Sequence, residues 1–199
     1  WPLPEPPPSR DYVACLGKRD PPAAEGFWRG ELAGFRAPTP LGIDRGPRPG
    51  GAGEYGEERL DLSPEATAAL AELARRYHLT LSTVVQGAWA LLLSRYSGAD
   101  DVLFGATVSG RPAEIPGVDR MVGLFINAVP VRARVPADAP AAPWLQEPQA
   151  RQAEAREHEH APLVDVHGWS EVPAGEPLFD SLLIFENFPV DASTGEPRG

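Results

Sequence analysis

Residues 80–98, TLSTVVQGAWALLLSRYSG, constrain the fold more than any other stretch. They are apolar on nearly every side of a helix, with Thr80 or Ser82 placed to cap the start and Gly98 to stop the end. A helix with no polar face has to be covered by other elements, so it belongs in a core. The preceding SPEATAALAELARRYHL (63–79) is a second helix. Ser63 can accept from a free first-turn amide, Pro64 stands where no donor is needed, Glu65 suits the positive end of the dipole, and the apolar face runs through Leu70, Leu73 and Tyr77.

Strands surround this pair. ERLDL (58–62) reads as a short strand before it, and DVLFGATVSG (101–110) and VGLFINAVPVRARV (122–135) as strands after it. APWLQEPQARQAEAREHEHAP (142–162) is helical at its centre, and Pro148 requires that the helix either begin near that residue or kink there, because an interior proline costs about 3 kcal/mol. LFDSLLIFENFP (178–189) is a last apolar strand. The order strand, helix, helix, strand, strand, helix, strand predicts an α/β (α+β) two-layer sandwich with a mixed sheet.

Residues 1–57 read differently. WPLPEPPPS is extended and linker-like, RDYVACL and AAEGFWRGELAGF have helical spacing through Tyr12, Val13 and Leu16 and through Phe27, Trp28, Leu32 and Phe35, and residues 36–57 are too rich in Pro and Gly to hold a regular element. The expected division is a crossover or linker region over 1–57 and a lobe over 58–199. A start at Trp1 is expected of a fragment.

Several function classes lose support. A formal charge of −10 argues against a phosphate-binding surface and so against DNA or RNA. A single cysteine, Cys15, excludes an internal disulfide and a CxxC metal pair, and no apolar run is long enough for a membrane helix, so a cytoplasmic protein is expected. His158 and His160 are two residues apart and would diverge on a helix, so no metal site is expected. His78, at the end of the capped helix, suits the negative end of its dipole, and His167 before Gly168 reads as a polar turn residue. GxSxG, GK[ST] after glycines, and GxGxxG opening a helix are absent.

What remains is SGRPAEIPGVDRMVGLFIN (109–127). Ser109, Gly110, Arg111 and Pro112 form a tight turn after one strand, and Asn127 places an amide inside the next. A buried amide is costly unless hydrogen-bonded, so Asn127 either has partners within the fold or projects into a wet channel.

These segments, with RDYVACL, EHEHAPLVDVHGW and PLFDSLLIFENFP, resemble in order and spacing the C-terminal lobe of the condensation domains of nonribosomal peptide synthetases. The resemblance implies one lobe of a chloramphenicol acetyltransferase-like fold, in which two lobes flank a channel. It implies amide-bond formation between donor and acceptor aminoacyl or peptidyl thioesters. These are carried on the phosphopantetheine arms of carrier proteins, with no cofactor bound directly. The implied partners are the N-terminal lobe, the two carrier proteins and adjacent synthetase domains. The family's HHxxxDG motif is absent from this sequence, so no catalytic residue is assigned and the lobe is expected to be inactive alone. Gly123, Phe125, Asn127 and Arg132 correspond to the family's GxFxNT…R, with Ala128 replacing threonine, and HEHAPLVD resembles its (H/N)QDxPFE segment, with Glu159 and His160 in the Gln and Asp places. The implied channel-side residues are Asn127, Gly123, Phe125, Arg132, Ser109, Arg111 and His160. A non-catalytic docking or scaffolding module for a carrier protein is the alternative, with a related acyltransferase using a soluble donor behind it. The Ala, Pro, Gly and Arg content suggests a GC-rich bacterial source.

Overall fold

A computed structural model describes residues 5–43 and 56–186. The Pro/Gly-rich stretch falls partly outside this range, as do residues 1–4 of the opening segment and the end of the last expected strand.

Both strongly patterned helices form, each capped as its sequence predicts. Helix α1 spans Arg10–Leu16, α2 Pro21–Glu31, α3 Pro64–Arg76, α4 Leu81–Ser97, α5 Ala141–Trp144, α6 Gln146–Ala155 and α7 Leu163–Trp169. The Ser63 hydroxyl accepts from the Ala66 amide at 3.2 Å, the Thr80 hydroxyl accepts from the Thr83 amide at 3.0 Å, and Gly98 ends α4 with φ of +74°. Helix α4 is less enclosed than expected. Thr83, Val84, Ala90 and Leu93 are buried, whereas Leu81, Leu92 and Tyr96 lie on an exposed face.

The sheet is mixed and small. Strand β1 (Asp101–Val108) pairs antiparallel with β2 (Asn127–Arg134) and parallel with β3 (Leu182–Leu183), in the order β2-β1-β3. Helices lie on both sides of it. Val102, Phe104 and Ala106 of β1, with Val131 and Ala133 of β2, pack with Ala74, Val84, Ala90 and Leu93 of α3 and α4. Leu103 and Val129 join the other cluster, with Trp28 and Leu32 of the α2 region and Val166 of α7. Trp28 is fully buried, so residues 21–35 contribute to the core rather than merely leading into it.

Several strand and helix expectations need correction. ERLDL forms no strand, and Leu60 and Leu62 are exposed: two alternating leucines do not make a strand where no neighbouring strand supplies hydrogen bonds. The strand expected over 122–135 begins only at Asn127, because its partner β1 ends opposite it at Val108. Residues 121–126 bury Met121 and Phe125 and expose Val122, Gly123, Leu124 and Ile126, and they pair with no described strand. The last strand is two residues long among the described residues. The helical centre of 142–162 is split into α5 and α6, and Pro148 occupies the first turn of α6, where a missing amide costs little. His167 belongs to α7 and not to a turn, and His78 sits just beyond α3 with φ of +56°.

Candidate functional site

A cleft of about 720 Å³ opens between three segments. One wall is the α1–α2 connection with Tyr12, Leu16 and Arg19; the second is the end of β1 and the turn from Ser109 to Glu114; the third is the turn 156–160 that follows α6. These segments are far apart in sequence, and the fold joins them through two local devices.

The first device is the turn after β1. Gly110 has φ of +61°, and a Cβ there would collide with the Phe125 carbonyl oxygen, so only glycine lets the returning chain cross at that point. Arg111 then folds inward. Its guanidinium donates to the Val118 carbonyl and, at 3.1 Å, to the Met121 carbonyl, and lies 4.1 Å over the Phe125 ring. Phe125 is buried with Ile115, Val118 and Met121, and its ring meets that of Tyr12 edge-on at 4.7 Å. Gly123 leaves room for this ring, since a Cβ would come within 3.2 Å of it. The loop 109–125 is thus a small folded unit docked on α1.

The second device is Asn127. Its side-chain NH2 donates to the backbone carbonyls of Glu159 at 2.8 Å and Ala161 at 2.9 Å, and its oxygen accepts from the Ala128 amide at 2.9 Å. Both amide protons are therefore used within the fold. Asn127 does not line the cleft; it stands behind the third wall and holds the Glu159–Ala161 backbone in place.

Ser109, Arg111 and His160 all reach the cleft, Phe125 and Gly123 support its floor from beneath Arg111, and Arg132 is elsewhere. Arg132 binds Asp101 through two hydrogen bonds of 2.9 and 2.7 Å and donates to the Glu31 and Ala33 carbonyls at 2.8 and 2.9 Å. It joins β1 and β2 to the C-terminal end of α2, where a cation opposes the helix dipole favourably. Four of its hydrogen bonds are spent on the frame rather than on this cleft.

Electrostatics in the cleft follow burial. Burial, followed by the nearby Glu159, raises the Tyr12 hydroxyl above the usual tyrosine value, so it stays protonated. Burial lowers His160, with Arg19 and His158 adding to the effect, so its imidazole is neutral at neutral pH. Burial also raises Glu159, against the opposing pull of Arg156 and Arg19. His158 stacks on Phe27, with ring centroids 4.6 Å apart. Tyr12, Arg19 and Glu159 were not among the sequence-predicted site residues. The EHEH doublet was the signal available for Glu159, and Tyr12 is marked only by its helical spacing.

The condensation domain family matches residues 1–198. This chain belongs to that family. Chondramide synthase cmdD of Chondromyces crocatus is 52% identical over 195 residues, which are 98% of this chain and 5% of that protein. A linear gramicidin synthase protein of Brevibacillus parabrevis is 50% identical over 188 residues, 94% of this chain and 4% of that protein. The chain thus spans a small fraction of these relatives. Among solved structures, the first condensation domain of the calcium-dependent antibiotic synthetase, in complex with a substrate analogue, aligns with a TM-score of 0.69 at 22% identity, covering 91% of this chain and 40% of that one. The X-domain from teicoplanin biosynthesis aligns with a TM-score of 0.70 at 26% identity, over 87% and 39%. The fold is that of condensation domains, chloramphenicol acetyltransferase-like, as the sequence motifs implied. No helix among the described residues is long and apolar enough to cross a membrane.

Proposed function

We propose that this chain is the C-terminal lobe of a nonribosomal peptide synthetase condensation domain, with residues 1–57 as the crossover segment and 58–199 as the lobe proper. The complete domain joins a donor aminoacyl or peptidyl thioester to the amine of an acceptor aminoacyl thioester. Each is presented on the phosphopantetheine arm of a carrier protein in the cytoplasm. The observation that carries this reading is the cleft: three segments distant in sequence meet to wall it, in a chain that the family matches over residues 1–198, and its volume suits the tethered end of a small acyl substrate. The exposed row Val122, Leu124 and Ile126 supports a covering partner on the same side of the sequence motif, and the N-terminal lobe is that partner.

Because HHxxxDG does not occur in this chain, the lobe supplies walls and positioning, and the N-terminal lobe supplies the histidines. Amide formation between matched donor and acceptor carrier proteins tests this directly. Product is expected from this chain with its N-terminal lobe and none from this chain alone. Carrier binding without product, even with both lobes present, would favour a docking module instead.

A further inference from the structure

Helix α1 turns one face to the rest of the fold. Tyr12, Cys15 and Leu16 are spaced three and four apart and share that face. Tyr12 and Cys15 pack against the Phe125 cluster, while Tyr12 and Leu16 also line the cleft. The Tyr12 ring is held edge-on by Phe125 at 4.7 Å, and Phe125 is held in turn by the Arg111 guanidinium 4.1 Å over it. A tyrosine side chain has few rotatable bonds, so fixing its ring fixes where its hydroxyl lies. Among the described residues no hydrogen bond engages that hydroxyl. Ser109, whose hydroxyl also belongs to the cleft lining, accepts from the Arg111 amide at 3.4 Å within its own turn. Burial and the nearby Glu159 keep the Tyr12 phenol protonated, so it offers a neutral O–H donor to the cleft.

We propose that the Tyr12 hydroxyl donates a hydrogen bond to a carbonyl oxygen of a carrier-tethered substrate and so fixes the tethered arm in the cleft. This rests on the condensation reading above. Glu159 acts on the phenol more strongly than Arg19 does, so an anionic acceptor is disfavoured beside it and a neutral carbonyl suits it. A tethered arm carries such carbonyls in its thioester and in its amides, and the contact takes the chemistry they share. No covalent bond is made or broken in this step; it is recognition ahead of attack. Phenylalanine at 12 keeps the ring against Phe125 and removes only the donor.

The test uses the complete synthetase protein that contains this chain, with each charged carrier varied in turn. Tyr12→Phe should lower kcat/KM about fivefold for the carrier whose arm occupies the cleft, with the melting temperature unchanged. Replacing that carrier by a thioester of the same acyl group on a simple alkyl thiol, which has no arm amides, separates the two carbonyls. A loss that persists places the contact at the thioester, and a loss that vanishes places it at an arm amide. A kcat/KM within about twofold of wild type for both carriers overturns the assignment, as does a loss that comes with a lower melting temperature, which marks damaged packing. Absence of product from the wild-type protein overturns the condensation reading itself, and this inference with it.

Discussion

Asn127 and Arg132 stand five positions apart on strand β2, and they do different work. At its start Asn127 clasps the backbone of the Glu159–Ala161 turn, one wall of an open cleft. Towards its other end, about 17 Å along an extended chain, Arg132 closes a partly buried knot of Asp101 and the last carbonyls of α2. The first end holds up Glu159, which faces the cleft; the second commits its cation fully to the frame. One motif therefore serves both frame and site, and nearness in sequence does not divide them.

The largest effect should come from the frame. Arg132→Ala leaves Asp101 only the longer Arg134 contact at 3.7 Å and strands two carbonyls at the end of α2, and should cost about 3 kcal/mol of stability by urea denaturation, while the amide-forming rate per folded molecule stays near wild type. A variant as stable as wild type would show that the knot contributes little. Gly110→Ala should cost at least about 2 kcal/mol, because it combines a left-handed backbone with a Cβ driven against the Phe125 carbonyl; it should also weaken activity through the 109–125 loop, and an unchanged melting curve would mean that the crossing relaxes easily.

Asn127→Asp keeps the shape and removes both donors. Its expected cost is about 2 kcal/mol, concentrated in the Glu159–Ala161 turn, which faster hydrogen exchange at those residues would reveal. The smallest effect concerns the frame again. Burial raises the Glu31 carboxyl, with Arg151 and Arg132 opposing, so ionising it costs stability above its folded value and costs nothing below the ordinary glutamate range. Glu31→Gln should therefore stabilise the protein at neutral pH by less than about 1 kcal/mol, an advantage that fades as pH falls through the carboxylate range; stabilisation that grew towards acid pH would contradict the sign.

Much of this contrast was legible in the sequence, but not where its line falls. The caps at Ser63 and Thr80 and the stop at Gly98 are local chemistry, and they mark the helix ends correctly. Strand ends are decided by partners. The apolar run over 121–126 reads as a strand, yet β1 ends at Val108, and the chain after it turns at Gly110, close against the Phe125 carbonyl. The same limit applies to the site. Spacing put Asn127 and Arg132 in one motif, but the Glu159 turn that Asn127 holds is 32 residues away, and the α2 end that Arg132 holds is 101 residues away. Only the tertiary structure pairs them. Glu159 itself is visible in EHEH, but its place in the cleft wall is a tertiary fact that no sequence pattern displays.

Stability and amide-forming rate, measured together for Asn127→Asp and Arg132→Ala in the complete protein, test the division of β2 most directly. Asn127→Asp should lose proportionally more rate than folded population, and Arg132→Ala should lose folded population while the surviving molecules turn over normally. If the two variants lost rate and stability in the same proportion, the division of β2 into a site end and a frame end would be wrong.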